Sequence, residues 1–246
     1  MKKPSIHLLS FILSTAFILI AFLGCGGGAS RAGDSACTDH KVPLVLKAGA
    51  KNVGVLIFND VFITEFVAPL DVYKHTGDKM NVFTVAPTMA AVQTYEGVVV
   101  HPDFSFENAP KIDVLVVPSG NGSISFDLKN DALIAFVKKA AAQAEFATSH
   151  CWGCFTLAQA GCLDDKKCTT FPTSVDDLQK RFPTLKAQKE SRFVVSGKYV
   201  TSNGGIAAFE SALYVVEKLY GKETADKVAS ALVYAPENRK LASGSN

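Results

Sequence analysis

From about residue 50 onward, short continuous apolar runs alternate with longer segments of helical period. Asn52 to Phe58 (NVGVLIF) is apolar, rich in β-branched residues and closed by Asn59-Asp60, which predicts a buried parallel strand. Ile63, Phe66, Val67, Leu70 and Tyr73 then recur at helical spacing up to Gly77, with Pro69 inside the segment as a source of a kink. Met80 to Ala86 predicts the next strand. Ala91 to Tyr95 and Val98 to His101 flank Glu96-Gly97, the pattern of a hairpin. Ile112 to Val117 is a further buried strand that runs into Pro118-Ser119-Gly120-Asn121-Gly122, a stretch of turn formers.

The alternation continues. Ala132 to Ala144 is amphipathic with helical period, Phe146 to Ser149 is a short strand, and Gly153 to Ala160 is a helix closed by Gly161. Lys167 to Thr170 predicts a strand and Val175 to Arg181 a helix. Phe193 to Val195 and Tyr199 to Thr201 flank Ser196-Gly197 as a second hairpin, and Ile206 to Leu219 and Thr224 to Leu232 are helices separated by Gly221. Strands alternating with helices imply an α/β fold: a single-domain parallel-sheet sandwich, with helices on both faces. No period repeats, which excludes a solenoid. In such sheets ligands sit beyond the carboxyl ends of the strands. Asp60 to Glu65, Pro118 to Gly122 and His150 to Gly153 are the segments expected to converge there.

The N-terminal pattern differs in kind. Lys2 and Lys3 precede an almost unbroken apolar run, Ile6 to Leu23, which ends at Gly24-Cys25-Gly26-Gly27-Gly28. This is the order of a secretory signal, assigned to residues 1–24. Cys25, directly after Gly24, is placed as a lipoprotein attachment site, although Phe22 and Leu23 are bulkier than that motif usually has. Plain secretion after cleavage and a retained anchor are the alternatives, since about 20 apolar residues can span a bilayer. Residues 25–50 are assigned to a tether, in which Ala29 to Val42 is small, polar and without period. The domain is assigned to residues 51–246. The expected location is therefore outside the cytoplasm: periplasmic or membrane-anchored through a lipid on Cys25, or secreted.

A formal net charge of +2 over 246 residues, with no basic stripe, argues against a nucleic-acid partner. Export permits disulfides. With Cys25 lipidated, cysteines 37, 151, 154, 162 and 168 remain, an odd set that leaves one free thiol or a bond between chains. Cys162 and Cys168 flank the turn LDDKK and are a candidate structural pair. The histidines are scattered and no second cysteine pair stands near Cys151 and Cys154, so neither a metal site nor a cofactor is expected.

The chemistry points to Ser149-His150-Cys151-Trp152-Gly153, a strand-to-helix junction with almost no loop. This is the pattern of a nucleophile elbow, which lifts a reactive side chain above the sheet edge. The start of the following helix favours a thiolate at Cys151, and Gly153 permits close helix approach. A buried packing cysteine is the competing reading. Cys151-Trp152-Gly153-Cys154 is also a C-x-x-C at a helix start, which makes Cys154 a candidate redox partner. His150 is expected to point away from the pocket. Asn203-Gly204-Gly205 reads as a tight strand-to-helix turn, with anion binding as the alternative.

Four segments in this order and spacing resemble the DJ-1/PfpI (ThiJ) superfamily from about Asn52 to Pro236: NVGVLIFNDVFITEFVAPLDVY, DVLVVPSGNG, TSHCWGCFTLAQAGCLDDKKCTTFP and RFVVSGKYVTSNGGIAAFESALYVVEKLYG. The flavour is similar to the isonitrile hydratase branch and its regulator relatives. Those regulators append a helix-turn-helix module, and a chain stopping shortly after Pro236 is expected to be no transcription factor. The resemblance implies a flavodoxin-like or class I glutamine amidotransferase-like fold and a homodimer. It implies Cys151 as nucleophile, Glu65 as its acidic partner, and the backbone N–H groups of Gly120 and Trp152 as oxyanion donors.

Three positions depart from that pattern. Phe171 follows Thr169-Thr170 where many members have histidine. Trp152 stands where the isonitrile hydratase branch usually has threonine, and Ser119 replaces the first glycine of the family's turn. The function implied is hydration or hydrolysis of a small electrophilic carbon (isonitrile, aldehyde or activated carbonyl). Non-catalytic binding or oxidation sensing is the alternative, followed by thiol–disulfide exchange. If Cys25 carries the lipid, the mature chain starts there, radiolabelled palmitate is incorporated, and Cys25→Ser abolishes the label. A mature protein starting elsewhere, without label, removes the lipoprotein assignment.

Overall fold

The computed structural model describes residues 44–234. The signal segment, Cys25 and Cys37 lie outside the described residues. β1 (Lys51–Leu56) leads through α1 (Ile63–Lys74) to β2 (Met80–Ala86), then to β3 (Val92–Gln93), β4 (Val99–Val100) and β5 (Phe104–Ser105). β6 (Val114–Val117), α2 (Asp131–Gln143), β7 (Phe146–His150) and α3 (Gly153–Gln159) follow. Then come β8 (Lys167–Cys168), α4 (Val175–Arg181), β9 (Lys186–Ala187), β10 (Phe193–Ser196), β11 (Tyr199–Ser202), α5 (Ile206–Tyr220) and α6 (Lys222–Ala231).

The central sheet has the order β10-β11-β7-β6-β1-β2-β5. It is parallel throughout except for the antiparallel hairpin β10–β11. The continuous apolar runs conceal a period of two, because a strand covered on both faces needs apolar residues on both. Val53, Val55, Val82, Val114 and Val116 join one core with residues of α1, α5 and α6. Their neighbours Leu56, Phe83, Val85, Leu115 and Val117 join the other, with α2, α3 and α4. Each fully buried Val or Leu contributes about 1.5–3 kcal/mol of transfer free energy, so the two layers are the main source of stability.

Most predicted elements occur within a residue or two of their predicted limits. α1 passes through Pro69 without a break in its helical run, so the proline costs it only the N–H that would bond the carbonyl of Glu65. The Glu96-Gly97 hairpin is present but short, with β3 and β4 pairing over two residues each. β5 and β9 were not apparent in the sequence. β9 pairs with β8 over two residues. The two residues of β5 pair with Val85 and Ala86, and two residues carry no readable period.

The end of the assigned tether belongs to the domain. Leu44 and Leu46 pack against the α2–α3–α4 core. The Lys47 N–H donates to Asn81 Oδ1 at 2.8 Å, and Asn81 Nδ2 returns a bond to the Lys47 carbonyl at 3.1 Å. A chain starting at Lys51 should therefore be less stable than one starting at Leu44, by about 2 kcal/mol for two half-buried leucines. Urea unfolding of both chains measures the difference, and equal midpoints would show that residues 44–50 add nothing.

Candidate active site

β1 lies between β2 on one side and β6 on the other, so the chain leaves it in one direction and later fills in the opposite one. At such a switch point the loops beyond the strand ends diverge and leave a crevice. Here the loops after β1, β6 and β7 meet. Val61 bridges to Gly120, the Phe62 N–H donates to the Ser119 carbonyl at 3.0 Å, and the Asn121 N–H to the Asp60 carbonyl at 3.0 Å. Gly120 is needed for this approach, since a Cβ there would lie 2.6 Å from the Asp60 carbonyl oxygen.

Cys151 occupies the turn between β7 and α3 with φ at 52°. A non-glycine residue in this region costs of order 1–3 kcal/mol and persists only where its surroundings fix it. They do so on both sides. The Cys151 N–H donates to the Ser202 carbonyl at 2.9 Å, and the Thr170 hydroxyl donates to the Cys151 carbonyl at 2.7 Å. Gly153 lets α3 press onto β6, because a Cβ there would stand 2.2 Å from the Val117 carbonyl oxygen. The predicted elbow is present, with the expected reason for its glycine.

Glu65, in the first turn of α1, is buried beside Cys151. Its Oε1 accepts from the Gly205 N–H at 2.9 Å, while Oε2 is buried with no hydrogen-bond partner. Gly204 (φ +88°) fits against both groups. A Cβ on it would lie 2.5 Å from the Cys151 Cβ and 2.6 Å from Glu65 Oε1. Burial raises the Glu65 pKa to about 7, against the opposing pull of the Gly205 N–H. Burial likewise pushes the Cys151 thiol up to about 12; the Glu65 charge adds to this, and the Ser119 hydroxyl and the Trp152 N–H oppose it. The helix start was expected to favour a resting thiolate. In a pocket where Cys151 is 7 % exposed, desolvation outweighs that effect, and the resting site holds a protonated thiol beside a carboxyl poised near neutrality.

The two expected oxyanion donors fare differently. The Trp152 N–H acts on the Cys151 sulfur. The Gly120 N–H instead donates to Ser123 Oγ at 2.8 Å, so it is engaged within its own loop and is not a free donor. Burial beside that hydroxyl raises the Asp127 pKa to about 6. Ser119, noted in the sequence only as a departure, has a fully buried hydroxyl with no other partner and faces the sulfur. Gly204 and Gly205, read as a turn, close the acid against the thiol. Only the position of the glycines before a helix hinted at this, because the partner Glu65 lies 140 residues away.

His150 is fully buried, with Nδ1 2.9 Å from Ser202 Oγ, and burial pushes its pKa down to about 3. It is neutral at physiological pH and part of the frame under Gly204, whose N–H donates to the same Ser202 hydroxyl at 3.3 Å. Cys154 is turned into the α2–α3–α4 core. Its thiol sits beside those of Cys168 and the hydroxyl of Ser149, and burial holds its pKa well up. It therefore does not share a surface with Cys151, and both are free thiols. The candidate Cys162–Cys168 bond is also corrected: both are free, Cys162 half-buried and Cys168 buried. Phe171 offers no proton, and its ring meets Trp152 edge-on at 6.0 Å. Among the described residues no group of three or more His, Cys, Asp or Glu could hold a metal ion.

A cysteine raised on a left-handed turn beside a buried acid, at the carboxyl edge of a parallel sheet, defines a cysteine-elbow α/β protein. The chain belongs to the DJ-1/PfpI family, whose model matches residues 51–218. It is 33% identical over 188 residues to isonitrile hydratase of Pseudomonas putida, covering 76% of this chain and 80% of that protein. It is 27% identical over 139 residues to the HTH-type transcriptional regulator GbdR of Pseudomonas aeruginosa, covering 56% of this chain but 37% of the regulator. A crystal structure of a ThiJ/PfpI family protein from Pseudomonas syringae superposes with a TM-score of 0.70 at 23% identity, over 85% of this chain and 84% of that one, and shares the fold. The family thus spans an enzyme and regulators.

Native Glu65 binds its proton more tightly than the unfolded chain does. Its contribution to stability is full below about pH 4.5 and is lost as pH rises through 7, a change of up to about 3 kcal/mol. Glu65→Gln should therefore gain stability over the wild type steadily between pH 4.5 and 7, measured by thermal unfolding. A stability difference that stays flat over this range would show that burial does not raise the Glu65 pKa.

Proposed function

We propose that this protein is a cysteine-dependent hydratase or hydrolase acting on a small electrophilic carbon, namely an isonitrile, an aldehyde or an activated carbonyl. The observation that carries this reading is the pairing of Cys151, held in a left-handed turn, with a buried carboxyl whose pKa lies near 7. A carboxyl at that pKa accepts and returns protons with little loss in either direction. Glu65 takes the thiol proton as Cys151 adds to the carbon, and gives it to the atom that becomes negative. For an isonitrile the adduct is a thioimidate; water activated by Glu65 adds to its C=N bond, the thiol leaves with a proton, and a formamide remains. The Trp152 N–H and the Ser119 hydroxyl stabilise the charge that develops near sulfur. Relation to isonitrile hydratase supports the hydration form of this chemistry. Phe171, where the family resemblance leads one to expect histidine, and Trp152, where the isonitrile hydratase branch is expected to have threonine, reshape the substrate side.

A non-catalytic binding or oxidation-sensing domain is the second reading, favoured by the thiol pKa of about 12 and by the kinship with regulators. Thiol–disulfide exchange through Cys154 has no such support, because that sulfur is buried on the other side of the sheet. We also propose export by the signal at residues 1–24, membrane attachment through a lipid on Cys25, and a homodimer, on the sequence pattern and the resemblance.

Turnover of isonitriles, followed by formamide release, is the deciding measurement. Cys151→Ala should abolish it and Glu65→Gln should lower kcat at least about 100-fold, as loss of a positioned proton carrier does. Cys154→Ser should leave it within about twofold, as fits a buried residue outside the reacting set. Equal loss in Cys151 and Cys154 variants would instead favour exchange chemistry, and no turnover of any electrophile would favour the binding domain.

A further inference from the structure

Four aromatic rings run in an unbroken chain across the segments that carry Cys151 and Glu65. Tyr95 meets Phe62 edge-on with centroids 5.1 Å apart, Phe62 meets Trp152 at 6.0 Å, and Trp152 meets Phe171 edge-on at 6.0 Å. Each ring is tied to the reacting groups through the backbone. Phe62 immediately precedes α1 and lies three residues before Glu65, and Trp152 follows Cys151. Phe171 follows Thr170, whose hydroxyl holds the Cys151 carbonyl. Tyr95 is stitched to the same loop, with its N–H donating to the Val61 carbonyl at 3.0 Å.

The polar edge of the indole is already used, since Trp152 Nε1 donates to Ser174 Oγ at 2.9 Å. What Trp152 offers a ligand is therefore ring surface. The rings meet at steep angles, 53° to 83°, so none is stacked face to face on its neighbour. The two outer rings stay open: Tyr95 is 58 % exposed and Phe171 40 %. A contiguous aromatic surface left in water next to a reactive group marks a binding site for apolar matter. The carboxylates of Asp60 and Glu96 come from the same segments, and Glu96 accepts from the Ile63 N–H at 3.1 Å. They disfavour an anion at this mouth.

We infer that the chain Tyr95–Phe62–Trp152–Phe171 is a substrate collar that selects a neutral electrophile bearing an aromatic or other bulky apolar substituent. The substituent lies against the rings while the reacting carbon reaches Cys151. The inference rests on the proposed cysteine chemistry for the identity of the reacting end, but not for the presence of the collar. It also gives Phe171 a task in the position expected for histidine: contact with the substituent in place of proton transfer.

Trp152 is the only tryptophan in the chain, so its fluorescence reports this surface without any requirement for turnover. The full chain is titrated with N-benzylformamide and with N-methylformamide, and kcat/KM is compared for benzyl and methyl isonitrile. The benzyl compound should bind at least about tenfold more tightly, the scale set by burying a ring instead of a methyl. Phe171→Ala and Tyr95→Ala, at exposed positions that leave the core intact, should each reduce that preference severalfold by raising KM, with kcat little changed. Aryl-selective binding without turnover would leave the collar standing and overturn the catalytic reading. Turnover with equal kcat/KM for both isonitriles would overturn the collar alone. Trp152 emission that responds to protein concentration and to neither formamide would also overturn it, assigning the rings to contact between two copies of the chain.

Discussion

The left-handed conformation of Cys151 is the constraint on which the rest of the site depends. It holds because three separate parts of the chain close on one residue: the Ser202 carbonyl from β11, the Thr170 hydroxyl from the loop after β8, and the absence of a side chain at Gly153 against the Val117 carbonyl. None of these contacts is expensive to make once the sheet has formed, since β7 already lies between β6 and β11. The strain is local and the support is drawn from the whole sheet. A tight turn can thus present a sulfur at the crevice without a flexible loop.

Electrostatics then follows from burial. The crevice desolvates both Glu65 and Cys151, and in each case the neutral form gains. A single N–H, from Gly205, keeps the carboxyl within reach of ionisation, and Ser119 and Trp152 do the same for the thiol. At rest the thiol keeps its proton beside a carboxyl poised near neutrality, and the pair is responsive to a substrate that brings its own charge demand. His150, fully buried and pushed down to about 3, takes no part in this exchange and instead supports the Ser202–Gly204 corner. The C-x-x-C spacing is divided by the same turn. Cys151 stays at the crevice, whereas Cys154, inside α3, faces the core and the thiol of Cys168.

Beyond the reacting pair, four aromatic side chains gather on the segments that carry it. Phe171 meets Trp152, and Trp152 joins it to Phe62 and Tyr95. They leave the elbow untouched, because the aromatic side chains project from positions whose backbone groups do the supporting. Scaffold and selectivity are separable here for that reason.

Local pattern by itself determined the longer strands and the helices, since a covered parallel strand must be apolar on both faces and a helix on one stripe. It also determined the elbow at Cys151, because a strand meeting a helix across Cys-Trp-Gly admits almost no other turn. Resemblance over four segments added Glu65. Only the tertiary structure decided what the backbone amides do: Gly120 N–H is taken by Ser123, and Gly205 N–H by Glu65. It alone decided that Leu44 and Leu46 belong to the domain, that Cys154 pairs its surroundings with Cys168, and that burial outweighs the helix start at the thiol. The physical reason is common to all of these. Periodicity records which face of an element is dry, but hydrogen-bond partners and desolvation depend on groups far apart in the chain that meet only when the sheet is assembled.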